Sequence, residues 1–144
     1  MLKFDTTGLE SYLPDHFRES EIGVWLSFPG DRKFRCLRAG GSNKRFIRAF
    51  QAAIKPHRRQ MDRGTLDPEV SEQIMRDVYS RTVVLDWKGI KDSEGKDVPY
   101  SPEAAVELFK AIPEMFNDIT TLCADMAVFT EGELEDAKQV LGEA

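Results

Sequence analysis

The stretch that most restricts the fold covers residues 83–101 and reads VVLDWKGIKDSEGKDVPYS. It begins as an apolar run and ends in Asp86-Trp87. Trp87 is a large ring that is usually most of the way buried, with an indole N–H that needs an acceptor. Gly89 and Gly95 permit backbone angles that a Cβ would oppose. Asp92-Ser93-Glu94-Gly95 is turn chemistry, with short polar side chains able to bond their own backbone. Pro99 biases Val98 toward extended geometry, and Tyr100 follows it. Ser101 is a good N-cap, and Pro102 at the first helical position gives up no needed hydrogen bond. The stretch therefore predicts an ordered loop between two helices rather than a linker, and no chemistry attaches to its pieces.

The rest of the chain splits around it. Residues 1–20 hold Phe4, Leu9, Tyr12, Leu13 and Phe17 without a clean period, which predicts an arm docked by its aromatics. Ile22, Val24, Leu26 and Phe28 then alternate with Gly23, Trp25 and Ser27, the period of a strand. Pro29-Gly30-Asp31 turns the chain, and Phe34 and Cys36 share one face of a returning strand. This is a hairpin over 21–38, and a lone hairpin must pack on a helix or on another chain. Gly40-Gly41 breaks the pattern, and Ser42 or Asn43 caps a helix over 42–55 with Phe46, Ile47, Phe50, Ala53 and Ile54 on one face. Pro56 ends it, a basic connection follows, and Gly64 stops the segment.

Asp67-Pro68 opens a helix expected to run over 68–85, with Val70, Ile74, Val78 and Leu85 inward and Met75 and Tyr79 at the margin. The β-branched pair Val83-Val84 lowers helix propensity slightly, a cost that burial can override. Helices over 102–111 and 113–129 follow. The first turns Val106, Leu108, Phe109 and Ile112 inward. The second carries Met115, Ile119, Leu122, Met126 and Phe129 at alternating four- and three-residue spacing, the pattern of a helix–helix seam. Residues 130–144 form an acidic last helix or tail. The class expected is α+β and predominantly helical: an arm over 1–20, one domain over 21–129 built from an N-terminal hairpin and about five helices, then the tail.

Composition bounds the function. At 144 residues, 41% hydrophobic and 31% charged, the chain has the make-up of an ordinary globular domain large enough for a real core. No apolar run has the length of a membrane span, and the first residues lack the basic start and apolar stretch of a secretion signal. Cys36 and Cys123 lie in apolar settings, which fits buried thiols and a cytoplasmic location. The net charge of −5 hides a segregation. Residues 32–63 hold eleven Lys or Arg against Asp62 alone, and residues 86–144 hold fourteen Asp or Glu against five Lys. Unlike charges separated in this way suit contacts within a monomer or between stacked copies.

Sites of chemistry are not apparent. His16 and His57 fall in no nucleophile, metal or triad pattern, and two scattered cysteines give no zinc spacing. Gly40-Gly41 before a helix could meet an anion, but P-loop and dinucleotide spacings are absent, and a turn with an N-cap explains them. No catalytic residue, cofactor or metal is expected. Lys44, Arg45, Arg48, Lys55, Arg58, Arg59 and Arg63 form a basic surface that faces solvent or a partner. They could neutralise phosphates, but Phe46 and Phe50 fit a core better than a base-stacking platform, and the overall acidity argues against nucleic acid. Glu131, Glu133 and Glu135 are the acidic counterpart.

The order DW-x-GI, then D-x-E-G, then VPYSPEAA opening a helix, then PEMF and a helix ending near AVF, resembles the tail assembly chaperones of long-tailed, siphovirus-type bacteriophages. The likeness is clearest over residues 83–129, where Trp87, Gly89, Gly95, Pro99, Tyr100, Ser101 and Pro102 carry it, and it is weaker over 24–63. It implies a non-virion assembly factor of the host cytoplasm. Such a factor binds the tape-measure protein and helps the major tail tube protein polymerise around it. The resemblance also implies a homo-oligomer and a longer form of the same protein made by ribosomal frameshifting. The alternative is a nucleic-acid-associated regulator that uses the basic 32–63 segment.

Overall fold

A computed structural model of the chain describes residues 3–5, 7–9, 18–125 and 129. The fold is α+β, a small antiparallel sheet with five α-helices among the described residues. A π-helical turn, Arg18–Ile22, leads into strand β1, Val24–Phe28, and strand β2, Arg32–Cys36. Helix α1, Lys44–Ile54, passes through a 3-10 turn, Lys55–His57, into the short helix α2, Arg58–Asp62. Helix α3, Pro68–Thr82, is followed by strand β3, Val84–Lys88, then α4, Pro102–Ala111, and α5, Pro113–Ala124.

The hairpin forms as its alternation demands. Val24, Leu26 and Phe28 are buried and pair across to Cys36, Phe34 and Arg32, so Phe34 and Cys36 join the same inner face. The tight connection holds Asp31 at φ +59, a left-handed angle that Asp tolerates better than most residues.

The expected helix over 68–85 is corrected. It stops at Thr82, and 84–88 is a third strand, antiparallel to β2 in the order β1-β2-β3. Asp86-Trp87 therefore lies on a strand, and the loop after it joins a strand to a helix. Three β-branched residues in succession, Thr82, Val83 and Val84, suit a pleated surface, and β2 offers an edge on which this apolar run can be buried with its backbone bonded. Leu37 N donates to Val83 O at 2.7 Å across the same junction. Three smaller expectations also change. The helix expected over 113–129 stops at Ala124, and Asp125 is already extended. Tyr79, placed at the margin of α3, is buried in the core, and Ile112, placed inward, is 44% exposed.

The core is a sheet face covered by helices. Val24, Leu26, Phe34, Cys36 and Trp87 meet Tyr79, Ala105, Phe109, Phe116 and Ile119, with Phe129 added. Nine rings form one connected path: Phe50, Phe46, Tyr79, Phe116, Phe109 and Phe34 in turn, from which Phe28 and the Trp87–Tyr100 pair branch. Most of these contacts are edge-on or tilted, as the ring quadrupole favours. Cys36 and Cys123 are both free and buried. Their mutual hydrogen bond, together with burial, pushes the Cys123 thiol well above its ordinary value.

Candidate partner-binding surface

Helix α1 is placed by one side chain. Asn43 is buried, and its Oδ1 accepts from Phe46 N at 3.3 Å as the N-cap. Its Nδ2 donates to Arg38 O at 2.8 Å and to Thr82 O at 3.0 Å. One amide thus joins the start of α1, the end of β2 and the end of α3. Arg45 adds a bond from Nη2 to Arg81 O at 3.3 Å.

The approach to Asn43 is fixed from the N-terminal side. Glu19, in the π-helical turn, is fully buried, accepts from Ser42 N at 2.8 Å and Ser42 Oγ at 2.7 Å, and pairs with Arg38 Nη1 at 3.0 Å. A Cβ on Gly41 would lie 2.6 Å from that carboxylate and 2.5 Å from Arg38 Nη1, so Gly41 is the residue that lets the loop close on the pair. Sequence reasoning missed Glu19, because a single carboxylate in an aromatic arm carries no pattern that sets it apart.

The surface presented by α1 is amphipathic but incompletely covered. Phe46 stacks on Phe50 at 6.0 Å and meets Tyr79 edge-on at 5.5 Å, which seats one edge of the apolar face on α3. Phe46, Ile47, Phe50, Ala53 and Ile54 nevertheless all remain partly exposed, and no residue of α1 is buried. Lys44, Arg45, Arg48, Lys55, Arg58, Arg59 and Arg63 are all exposed around and beyond it. Met61, on α2, is 40% exposed. Glu131, Glu133 and Glu135 lie outside the described residues.

The loop after β3 is ordered, as its composition predicts. Trp87 is buried, and its Nε1 donates to Val98 O at 2.7 Å, closing the loop over the ring. Tyr100 meets Trp87 edge-on at 5.0 Å. Its hydroxyl lies 2.6 Å from Ser80 O and 2.8 Å from Val84 O, so its one proton serves two carbonyls at the α3–β3 junction. Burial pushes the Tyr100 and Tyr79 phenols far above their ordinary value. Gly89, at φ +81, passes so close to the hairpin turn that a Cβ would lie 2.6 Å from Asp31 O. Gly95 N closes a turn on Asp92 O at 3.0 Å, and Lys91 pairs with Asp97 across the loop. Pro99 is exposed, Ser101 Oγ accepts from Ala104 N at 3.0 Å, and Pro102 begins α4. A cleft of about 390 Å³ lies between the strand end and 97–100.

The predicted residues thus fall into two groups. The basic set clusters on α1, α2 and the turn between them. The tryptophan-loop set brackets β3 and the start of α4, where its members serve mainly to hold the sheet against the helices. His57 is partly buried, and His16 lies outside the described residues. Among the described residues, no three His, Cys, Asp or Glu side chains are gathered closely enough to hold a metal ion. Among them too, no helix is long and apolar enough to cross a membrane.

The sequence pattern of the YdaY prophage protein family matches residues 41–139, well over half of the chain. The chain belongs to that family. The YdaY match begins at Gly41, on the loop that Glu19 anchors, and covers α1 to α5 together with the tryptophan loop. It leaves out the hairpin, although β3, inside the match, is bonded to β2 outside it. Membership makes this a phage-derived protein. No curated protein and no solved structure matches the chain.

Proposed function

We propose that this YdaY-family protein is a phage tail assembly chaperone of the host cytoplasm that binds by surface contact and catalyses no reaction. Its client would be the tape-measure protein, around which the major tail tube protein polymerises. Copies of the chaperone, and a frameshifted longer form of it, would share the work. The observation that carries this reading is the open apolar strip of α1, bordered by exposed Lys and Arg. Phage origin and the resemblance over residues 83–129 support it.

The physical logic is coverage. A long helical protein with apolar stripes aggregates when left bare. A strip of partly exposed Phe and Ile can take an apolar helix face, while the surrounding cations choose clients with acidic flanks and speed encounter. Because the strip is narrow and its charges are solvated, each contact stays modest, and arriving tube subunits can displace the chaperone. A nucleic-acid role has less support: the chain is acidic overall, and Phe46 stacks on Phe50 within the protein rather than standing clear for a base.

The test is co-expression with the very long helical protein encoded downstream in the phage tail region. The expected result is that the long protein stays soluble only in company with this one, and that both elute together. A long protein equally soluble alone would remove the proposal.

A further inference from the structure

Between α3 and α5 lies a second concavity, separate from the α1 strip, of about 250 Å³. Its apolar lining is Met75, Phe109 and Phe116, and Ser71, Asn117 and Thr120 give it a polar rim. Arg76 also lines it, and the Arg76 side chain is only 9% exposed. Its Nε has no hydrogen-bond partner, and its Nη1 lies 3.8 Å from Glu72 Oε2, beyond hydrogen-bonding distance. Glu72 is itself 69% exposed. Glu72 thus holds Arg76 only as a loose ion pair, and a carboxylate in bidentate reach would be a better partner for the guanidinium.

We infer that this groove is a recognition pocket for a carboxylate carried beside a bulky apolar side chain on a partner protein segment. Three features select that ligand. Arg76, with Nε unbonded and Glu72 only loosely paired, supplies the charge complement. Met75, Phe109 and Phe116 supply an apolar seat, with methionine adapting to the shape of what enters. The volume lies below the usual range for small-molecule sites, roughly 300–1,000 Å³, and suits one large side chain with its acidic neighbour. Two residues four apart on a helix present such a pair on one face, and a groove between two helices accepts a third. Glu72 is then a loose placeholder that the incoming carboxylate displaces. The inference does not depend on the identity of the tape-measure client.

The test titrates isotope-labelled full-length protein with a capped, alanine-based helical peptide carrying Phe and Glu four residues apart. Saturable NMR shifts are expected at the Arg76 side-chain N–H and at the Phe116 and Asn117 amides. The same peptide with Gln for Glu should bind about tenfold more weakly, and Ala for Phe should weaken it similarly. Glu72→Gln, at an exposed position, should tighten binding at least about twofold by releasing Arg76. Arg76→Gln should abolish the preference for Glu over Gln. Because that buried change could unfold the chain, the surface variant Glu72→Gln decides the matter if it does. Equal affinity for the Glu and Gln peptides, or no effect of Glu72→Gln, would overturn the proposal. Free 4-phenylbutyrate binding as tightly as the peptide would overturn the assignment to a protein segment.

Discussion

Glu19 holds Arg38 at 3.0 Å from a fully buried position, and the same carboxylate accepts from the backbone N–H and the hydroxyl of Ser42. The pair joins the segment before the hairpin to the loop that starts α1. Removing one partner of a buried ion pair leaves the other uncompensated, which costs about 3–5 kcal/mol. Glu19→Ala is therefore expected to lower unfolding free energy by about that much in urea denaturation. Glu19→Gln, which keeps an acceptor for Ser42, should lose less. A midpoint unchanged in both variants would show that the anchor does not matter to the fold.

Asn43 has three partners, and they can be separated by substitution. Asn43→Ala loses the cap of α1 and strands two carbonyls, for a cost of roughly 2–4 kcal/mol. Asn43→Asp keeps an acceptor for Phe46 N but cannot donate to Arg38 O or Thr82 O. Buried and facing those two oxygens, the carboxylate should make Asn43→Asp less stable than Asn43→Ala at neutral pH. An Asp variant as stable as the Ala variant would show that the two carbonyls do not need the amide donors.

Trp87 fills the space between Phe34 and Tyr100, with ring centroids 6.1 and 5.0 Å away. Trp87→Ala is expected to destabilise the protein by roughly 3–5 kcal/mol, as large aromatic truncations in cores do. Trp87→Phe keeps part of the packing but loses the bond to Val98 O, so the loop over 89–98 should exchange its amides faster than in wild type. A melting temperature equal to wild type for Trp87→Ala would show that the ring contributes nothing.

Alkaline pH should unfold this protein early. Burial raises the Tyr79 and Tyr100 phenols well above the unfolded value, which is about 10. Above that value the unfolded chain releases protons that the folded chain keeps, so stability falls as pH rises further. The contribution is intact below pH 10 and is lost progressively above it. Phenolate absorbance from these two residues should therefore appear together with loss of helical circular dichroism. Ionisation of both while the fold persists would contradict the burial argument.

Arg58 and Arg59 are exposed on α2, so reversing both to Glu should leave melting within the small range typical of surface changes, about 0.5 kcal/mol each. The double variant should weaken self-association or capture of the long tail protein, most visibly at low salt. Unchanged assembly and capture would withdraw the basic α1–α2 surface from the proposed role.

Much of the fold was legible because its signals are local. The alternation from Val24 to Phe28 placed the hairpin, since a side chain's face on a strand depends only on the parity of its position. Asp67-Pro68 and Ser101-Pro102 marked helix starts because a cap acts within three residues, and both are seen at the expected ends of α3 and α4. The basic set was legible as composition, and its exposure follows from the cost of burying charge. The tryptophan loop was legible as ordered, although the element leading into it was misassigned.

The chain's own residue order thus determined the α+β class, the helix starts, the turn chemistry and the segregation of charge, all set by neighbours a few positions apart. Tertiary structure alone decided three things. It made residues 84–88 a strand, because a short apolar run suits a helix end or a strand equally until β2 offers its edge. It buried Glu19 against Arg38 and Ser42, 19 and 23 positions away. It buried most of Arg76 beside a concavity lined by Met75, Phe109 and Phe116, residues brought together from three helices that no local sequence signal links.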